Sequence, residues 1–211
     1  QPDLGTLLVL TATVFGVLAA AGTPRRWLTL MVAGGAAAAV AAVSLGLLQD
    51  YQVDRFLAFT NPGLDPRGAG YNTEQARIAV GNGGLFGQGL FDGSQTRAGF
   101  VPEQHTDFVF TVAGEELGFV GATGLLLLLA FVVGRVLLVA ARAQEPFGRL
   151  VAVGVATWLA VQVVQNVGMN LGLLPVTGLP LPFVSYGGSS MLVSWLAVGL
   201  VDATHTTATH R

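Results

Sequence analysis

Four stretches of this chain are each long and apolar enough to cross a bilayer as a helix, and a fifth comes close. A hydrocarbon core of about 30 Å takes about 20 apolar residues at 1.5 Å of rise each. Leu4 to Ala21, Trp27 to Leu48, Leu117 to Ala141 and Leu150 to Leu174 meet that length, while Phe183 to Val201 is shorter and glycine-rich at its start. Pro2 stands at the head of the first run, where a helix tolerates it. Arg135 enters the third near one end, where a long side chain can reach the interface. Of the 211 residues, 52% are hydrophobic and only 10% charged, far below the quarter or so that a soluble domain carries. The sequence therefore predicts an all-α polytopic membrane protein with about five transmembrane helices and a long extracellular loop between the second and third.

Composition excludes some chemistry. With no cysteine the chain forms no disulfide and performs no thiol chemistry, and a net charge of −2 argues against a nucleic-acid partner. It opens Gln1-Pro2-Asp3-Leu4, with neither methionine nor a basic leader, so the first apolar run does not read as a signal peptide. The sequence reads as one that begins inside a longer protein.

Orientation follows from the arginines. Arg25 and Arg26 lie in the link between spans one and two, and Arg135, Arg142 and Arg149 flank the link between spans three and four. An even number of crossings separates the two links, so the positive-inside rule makes both cytoplasmic. The expected organisation is two helices in 1–48, an external loop in 49–116, three helices with a Pro/Gly-rich break in 117–202, and a disordered cytoplasmic tail in 203–211.

The loop holds nine of the twelve acidic residues: Asp50, Asp54, Asp65, Glu74, Asp92, Glu103, Asp107, Glu115 and Glu116. A polar loop this long inside a membrane protein is usually functional. After the turn-forming Asn61 to Gly68, Asn72 is placed to cap a short helix through Val80, with Gln75 reaching back. The run Gly81-Asn82-Gly83-Gly84-Leu85-Phe86-Gly87-Gln88-Gly89 is not a phosphate loop, because Leu90-Phe91 replace the required Lys-Ser or Lys-Thr. Nor is it a dinucleotide motif, since Phe86 replaces the third glycine. Its glycines serve tight turns and close packing, or line an anion site with backbone amides. Phe86, Leu90, Phe91, Phe100, Val101, Phe108 and Phe110 are expected to pack against the membrane helices.

Phe100-Val101-Pro102-Glu103-Gln104-His105-Thr106-Asp107-Phe108 concentrates polar function. A helix here would put Glu103 and Asp107 on one face, and an extended strand would align Glu103, His105 and Asp107. The readings open at this point are a solvated acidic loop, a metal site and a working carboxylate. Glu115-Glu116 fits a helix N-terminus that complements the macrodipole. Gln162, Gln165, Asn166 and Asn170 make a polar stripe in span four, suited to interhelical hydrogen bonds or to a polar pathway. Leu174-Pro175 through Pro180-Leu181-Pro182 to Ser190 cannot be one continuous helix.

In order along the chain, Gln1 to Thr6, Gln49 to Gln52, Gly70-Tyr71-Asn72, Gly81 to Leu85, Pro102 to Phe108, Gly114 to Gly118 and Pro182 to Ser189 resemble the SEDS family of bacterial cell-wall proteins. The resemblance covers the whole chain and is nearer the RodA branch than the FtsW branch. It implies about ten transmembrane helices in the full protein, of which this chain looks like the C-terminal half. It also implies a peptidoglycan glycosyltransferase of the bacterial plasma membrane that polymerises lipid II in cell elongation or division, with a class B penicillin-binding protein as partner. The family's essential aspartate falls on Asp107, expected as the base or as a ligand to the metal that organises the reaction. Gln95, Glu103, His105, Thr106, Glu115, Ser185, Tyr186 and Ser189 are the expected substrate contacts, with no further metal ligand assigned. The departing diphosphate calls for positive charge from arginine or from Mg²⁺ or Mn²⁺. The alternatives are a flippase for the lipid-linked precursor, supported by the polar stripe and the broken helix, and a scaffold that docks and activates a partner synthase. The 211 residues alone are expected to be inactive, because five spans form only one wall of such a site.

The absence of cysteine makes the orientation directly testable. A cysteine placed at Ser94 in the full-length protein is expected to react with an impermeant maleimide applied to the outer face. Labelling from the cytoplasmic face alone contradicts the orientation.

Overall fold

The computed structural model describes residues 4–46, 59 and 68–209. Among the described residues the helices with defined bounds are, in order, α1 (Leu4–Ala20), α2 (Arg25–Ser44), α3 (Ala69–Asn82), α4 (Ser94–Arg97), α5 (Val109–Arg142), α6 (Pro146–Asn170) and α7 (Gly188–Thr209). No strand occurs among the described residues. Of these helices α2, α5 and α6 are long and apolar enough to cross a bilayer, and α1 and α7 contribute the shorter apolar segments Gly5–Ala20 and Gly188–Thr204. The architecture is the expected all-helical polytopic membrane fold.

Helix α6 is the hub and packs against α5, α1, α7 and α3. At one end of the bundle Ala140, Ala152 and Ala156 join Val136 and Val201 in a buried cluster. Small side chains there let α5, α6 and α7 approach closely, as helix packing in lipid requires. Toward the other end Phe110, Ala122, Leu129, Val167 and Leu181 form a second cluster. A third, of Ala76, Ala79, Val101 and Phe108, seats α3 on the loop. Helix α2 stands apart, with none of its residues buried.

The loop is fastened through a break in α5. Gly118 (φ 67°, ψ −168°) interrupts that helix in a conformation almost confined to glycine. A break leaves carbonyls and amides without helical partners. Here the glycine run satisfies them. The amides of Gln88 and Gly89 donate to the carbonyls of Glu115 and Glu116 at 3.0 and 3.1 Å. In return the amides of Phe119 and Val120 donate to the carbonyls of Gly84 and Leu85 at 2.9 and 3.1 Å. A Cβ on Gly87 would strike the Glu116 carbonyl, and one on Gly118 the Gly87 amide. Of the two readings of this run, the structure supports close packing.

Several expectations are corrected. Helix α3 starts at Ala69 with Gly68 as its cap, so Asn72 lies within the first turn and donates its own amide to Gly68. The helix of span three begins at Val109, which places Glu115 and Glu116 before the break and not at an N-terminus. The segment 101–107 forms consecutive turns, neither helix nor strand. Val101, Phe108 and Phe110 are buried as expected, whereas Phe86, Leu90, Phe91 and Phe100 are exposed. Pro180 and Pro182 delay α7 to Gly188, and with no breaker after Val201 the helix runs through Thr209, so 203–209 is helical. The turn-forming Asn61 to Arg67, the early loop acids Asp50, Asp54 and Asp65, and His210 lie outside the described residues.

Replacing Gly118 by alanine in the full-length protein is expected to cost at least about 2 kcal/mol, since the residue has no comfortable alternative conformation. Gly124, a helical glycine of α5 with open space around it, serves as the control and should tolerate alanine. Thermal unfolding in detergent measures both.

Candidate active site

The polar stripe of α6 ends where the two non-helical segments meet. Asn166 and Asn170 are i, i+4 neighbours on one face of its last turns, and both are fully buried. Asn166 Nδ2 donates to the carbonyl of Asp107 at 2.9 Å and to that of Leu179 at 2.8 Å. Asn170 Nδ2 donates to the same Asp107 carbonyl at 3.1 Å and to the carbonyl of Asn166 at 2.8 Å. Its Oδ1 accepts from the amide and hydroxyl of Thr111 at 3.0 and 2.6 Å. Gln165 Nε2 donates to the carbonyl of Pro175 at 3.0 Å. Asn170 makes the interhelical hydrogen bond that the sequence suggested, to Thr111 of α5, and the other amides of Gln165, Asn166 and Asn170 grip backbone of the non-helical segments.

The segment 175–187 completes the grip. Ser185 Oγ accepts from the Leu181 amide at 2.7 Å and donates to the carbonyl of Thr106 at 2.6 Å. The Tyr186 amide donates to the carbonyl of His105 at 2.8 Å. Three successive carbonyls, of His105, Thr106 and Asp107, are thus each bonded into the protein body. On the opposite side of the same turn the amides of Thr106, Asp107 and Phe108 all approach the Glu103 carbonyl at 3.1 Å, with Glu103 held at φ 51°. The Glu103 carboxylate accepts from Thr106 Oγ1 at 2.9 Å. With the backbone committed on both sides, the half-buried Asp107 side chain has a fixed origin. Its Oδ2 lies 3.5 Å from where a Cβ on Gly178 would stand, an ordinary contact distance, and Gly178 itself is held at φ 70°.

The expected site residues divide among several places. His105, Ser185 and Tyr186 line an open cavity of about 690 Å³ together with Val109, Val184 and Met191. Ser189 borders a separate cavity of about 220 Å³ with Gln162, Trp158 and Ser194. Glu115 is buried beneath α4, with Oε1 accepting from the Gln95 amide at 2.7 Å and from Ser94 Oγ at 3.2 Å. Its Oε2 accepts from the Thr96 amide at 3.0 Å. The carboxylate therefore caps α4 from another helix, and its contacts are spent on holding the loop. Gln95 Oε1, Gln104 Oε1 and Thr177 Oγ1 are buried polar atoms without a hydrogen-bond partner among the described residues. Thr177 and Gly178 were not singled out by sequence reasoning, nor was Thr111. Only the proline-framed turn that follows the asparagine pair hinted at them.

Among the described residues no group of three or more His, Asp or Glu side chains is arranged to hold a metal ion. The described residues thus form no resident cage for Mg²⁺ or Mn²⁺.

Comparison with known proteins places this geometry. A model of the FtsW/RodA/SpoVE family, described as cell cycle protein, matches residues 1–210. The chain is 44% identical over 206 residues to the peptidoglycan glycosyltransferase MrdB of Escherichia coli, covering 98% of this chain and 55% of that protein. It is 43% identical over 201 residues to a probable peptidoglycan glycosyltransferase FtsW of Trichlorobacter lovleyi, covering 95% of this chain and 52% of the other. The chain spans about half the length of these curated relatives. Among solved structures, one chain from work on how a peptidoglycan synthase complex coordinates polymerization and crosslinking superposes with a TM-score of 0.80 at 37% identity, covering 99% of this chain and 57% of that one. The Rod shape determining protein RodA of Thermus thermophilus superposes with a TM-score of 0.61 at 34% identity, covering 99% and 51%. With a family model matched along nearly its whole length and a fold shared with these structures, the chain belongs to the FtsW/RodA/SpoVE family of cell cycle proteins.

Proposed function

We propose that this chain carries the catalytic carboxylate of a peptidoglycan glycosyltransferase that polymerises lipid II, and that Asp107 is its base. The observation that carries the reading is the commitment of three successive carbonyls, of His105, Thr106 and Asp107, to the protein body. That arrangement holds one carboxylate at the loop end of the helices, the level at which lipid-anchored sugars must meet.

In this reading the acceptor sugar hydroxyl attacks the anomeric carbon of an α-linked diphosphate donor from the opposite face. The new β-1,4 bond forms as the bond to the diphosphate oxygen breaks, and the diphosphate departs with the electron pair. The hydroxyl proton passes to Asp107. Diphosphate is a good leaving group, so a second carboxylic acid is not required, unlike in the two-carboxylate glycosidases. A positioned base typically contributes 10²–10⁴-fold. His105, Ser185 and Tyr186 offer substrate contacts in the adjoining cavity, Glu103 and Thr106 stabilise the turn, Glu115 holds Gln95 through its backbone, and Ser189 faces the second cavity. A divalent cation enters only as a companion of the substrate diphosphate, and no step above depends on it.

The loop faces the outside of the bacterial plasma membrane in this proposal, and a class B penicillin-binding protein is the partner. The likeness to a chain of a peptidoglycan synthase complex supports that partner. One of the two supports of the transport reading weakens, because Gln165, Asn166 and Asn170 are buried and spend their amides on backbone carbonyls.

Asp107→Asn in the full-length protein keeps shape and removes the charge. Membrane insertion and partner binding are expected to persist while lipid II polymerisation falls at least about a hundredfold. Near-normal polymer would transfer the function to a flippase or a scaffold.

A further inference from the structure

Four large apolar side chains on the glycine-rich loop lack cover from the described residues: Leu85, Phe86, Leu90 and Phe91 are 64, 81, 64 and 83% exposed. The loop that bears them is not free to fold them away. Its backbone is fixed to the break in α5 by the bonds from Phe119 to Gly84, from Val120 to Leu85, and from Gln88 and Gly89 to Glu115 and Glu116. Phe91 is held at φ 64°, a left-handed conformation that an aromatic residue rarely adopts, beside a turn closed by the Asp92 amide on the Gly89 carbonyl. Contiguous exposed groups of this size mark an interaction surface.

The height of the loop along the membrane normal identifies what covers it. Arg142 closes α5, and its guanidinium cannot rest in hydrocarbon. From Arg142 back to Val120 the helix rises about 33 Å at 1.5 Å per residue, against a hydrocarbon core of about 30 Å. With Arg142 at one interface, Val120 stands at the other, and the 3.1 Å bond from the Val120 amide to the Leu85 carbonyl fixes the loop at that level. Phe119 and Val120 on α5 are themselves exposed, so the loop patch continues an exposed apolar surface of a membrane-spanning helix. The nearby charged pair, Arg97 with Asp92 at 3.5 Å, is solvent-exposed on the loop.

We propose that Leu85, Phe86, Leu90 and Phe91 insert into the headgroup–acyl boundary of the bilayer and form an in-plane anchor for the loop. The anchor acts with the α5 break: the hydrogen bonds fix the loop to the helix, and the apolar side chains fix its level in the lipid. This inference rests on the membrane-spanning character of α5 and not on the catalytic reading. It accounts for the exposure of residues that the sequence suggested would be buried among helices.

The test uses the full-length protein in nanodiscs of phosphatidylethanolamine and phosphatidylglycerol, with a nitroxide on a single cysteine. Phe86→Cys and Phe91→Cys report on the patch, Arg97→Cys is the water-facing reference and Leu128→Cys the lipid-facing one. Oxygen is expected to relax the labels at 86 and 91 more strongly than a water-soluble nickel chelate does, as at 128. Relaxation dominated by the chelate, as at 97, overturns the proposal. So does weak relaxation by both agents, which signals cover by protein, whether the rest of the chain or a partner.

Discussion

The hydrogen bonds from Asn166 and Asn170 to the carbonyl of Asp107 join the membrane bundle to the loop that carries the candidate chemistry. The two partners lie 59 and 63 residues apart in sequence. At buried positions a carbonyl without a donor costs roughly 1–3 kcal/mol, so the asparagines favour one placement of the 101–108 turn over its neighbours. The same amides reach Leu179 and Asn166, while Oδ1 of Asn170 holds the start of α5 through Thr111. Two irregular segments and two helices thereby meet at one pair of side chains. Irregular backbone at membrane depth persists only where protein satisfies its polar groups, and here α6 supplies them.

A second attachment lies on the far side of the loop. The break at Gly118 exposes helical amides and carbonyls to which the glycine run binds, and Glu115 then draws in α4 by its carboxylate. The described part of the loop is gripped at two places, at 84–89 by the break and at Asp107 by the asparagines. A rigid loop suits a reaction in which a misplacement of about 1 Å can cost on the order of a hundredfold. The apolar patch extends the same logic to the bilayer, because in the proposed reaction the base must stay at the level where lipid-anchored sugars project.

Much of this was legible in the residues. Runs of about 20 apolar side chains announced the spans, and arginine placement suggested their orientation. The prolines at 175, 180 and 182 announced the break before α7. The stripe Gln162, Gln165, Asn166 and Asn170 was visible as a pattern, but its partners were not. Periodicity shows which face is polar, whereas the recipient carbonyls arrive from distant segments with no side-chain signature. Glu115 misled for a related reason. An acid before an apolar run resembles a helix start, and only the glycine break at the tenth residue of a longer helix explains its burial. Phe86 and Phe91 were expected inside because apolar residues avoid water, yet near a bilayer the same physics also directs them outward into lipid.

The central claim is that the asparagine pair serves catalysis by positioning Asp107, and non-additivity tests it most directly. Lipid II polymerisation at saturating substrate should be measured for the full-length protein with Asn166→Ala, with Asp107→Asn and with both. If the clamp acts through the carboxylate, Asn166→Ala slows the reaction alone, and the double variant is no slower than Asp107→Asn. Losses that multiply in the double variant would show that Asn166 works independently of Asp107 and would contradict the account.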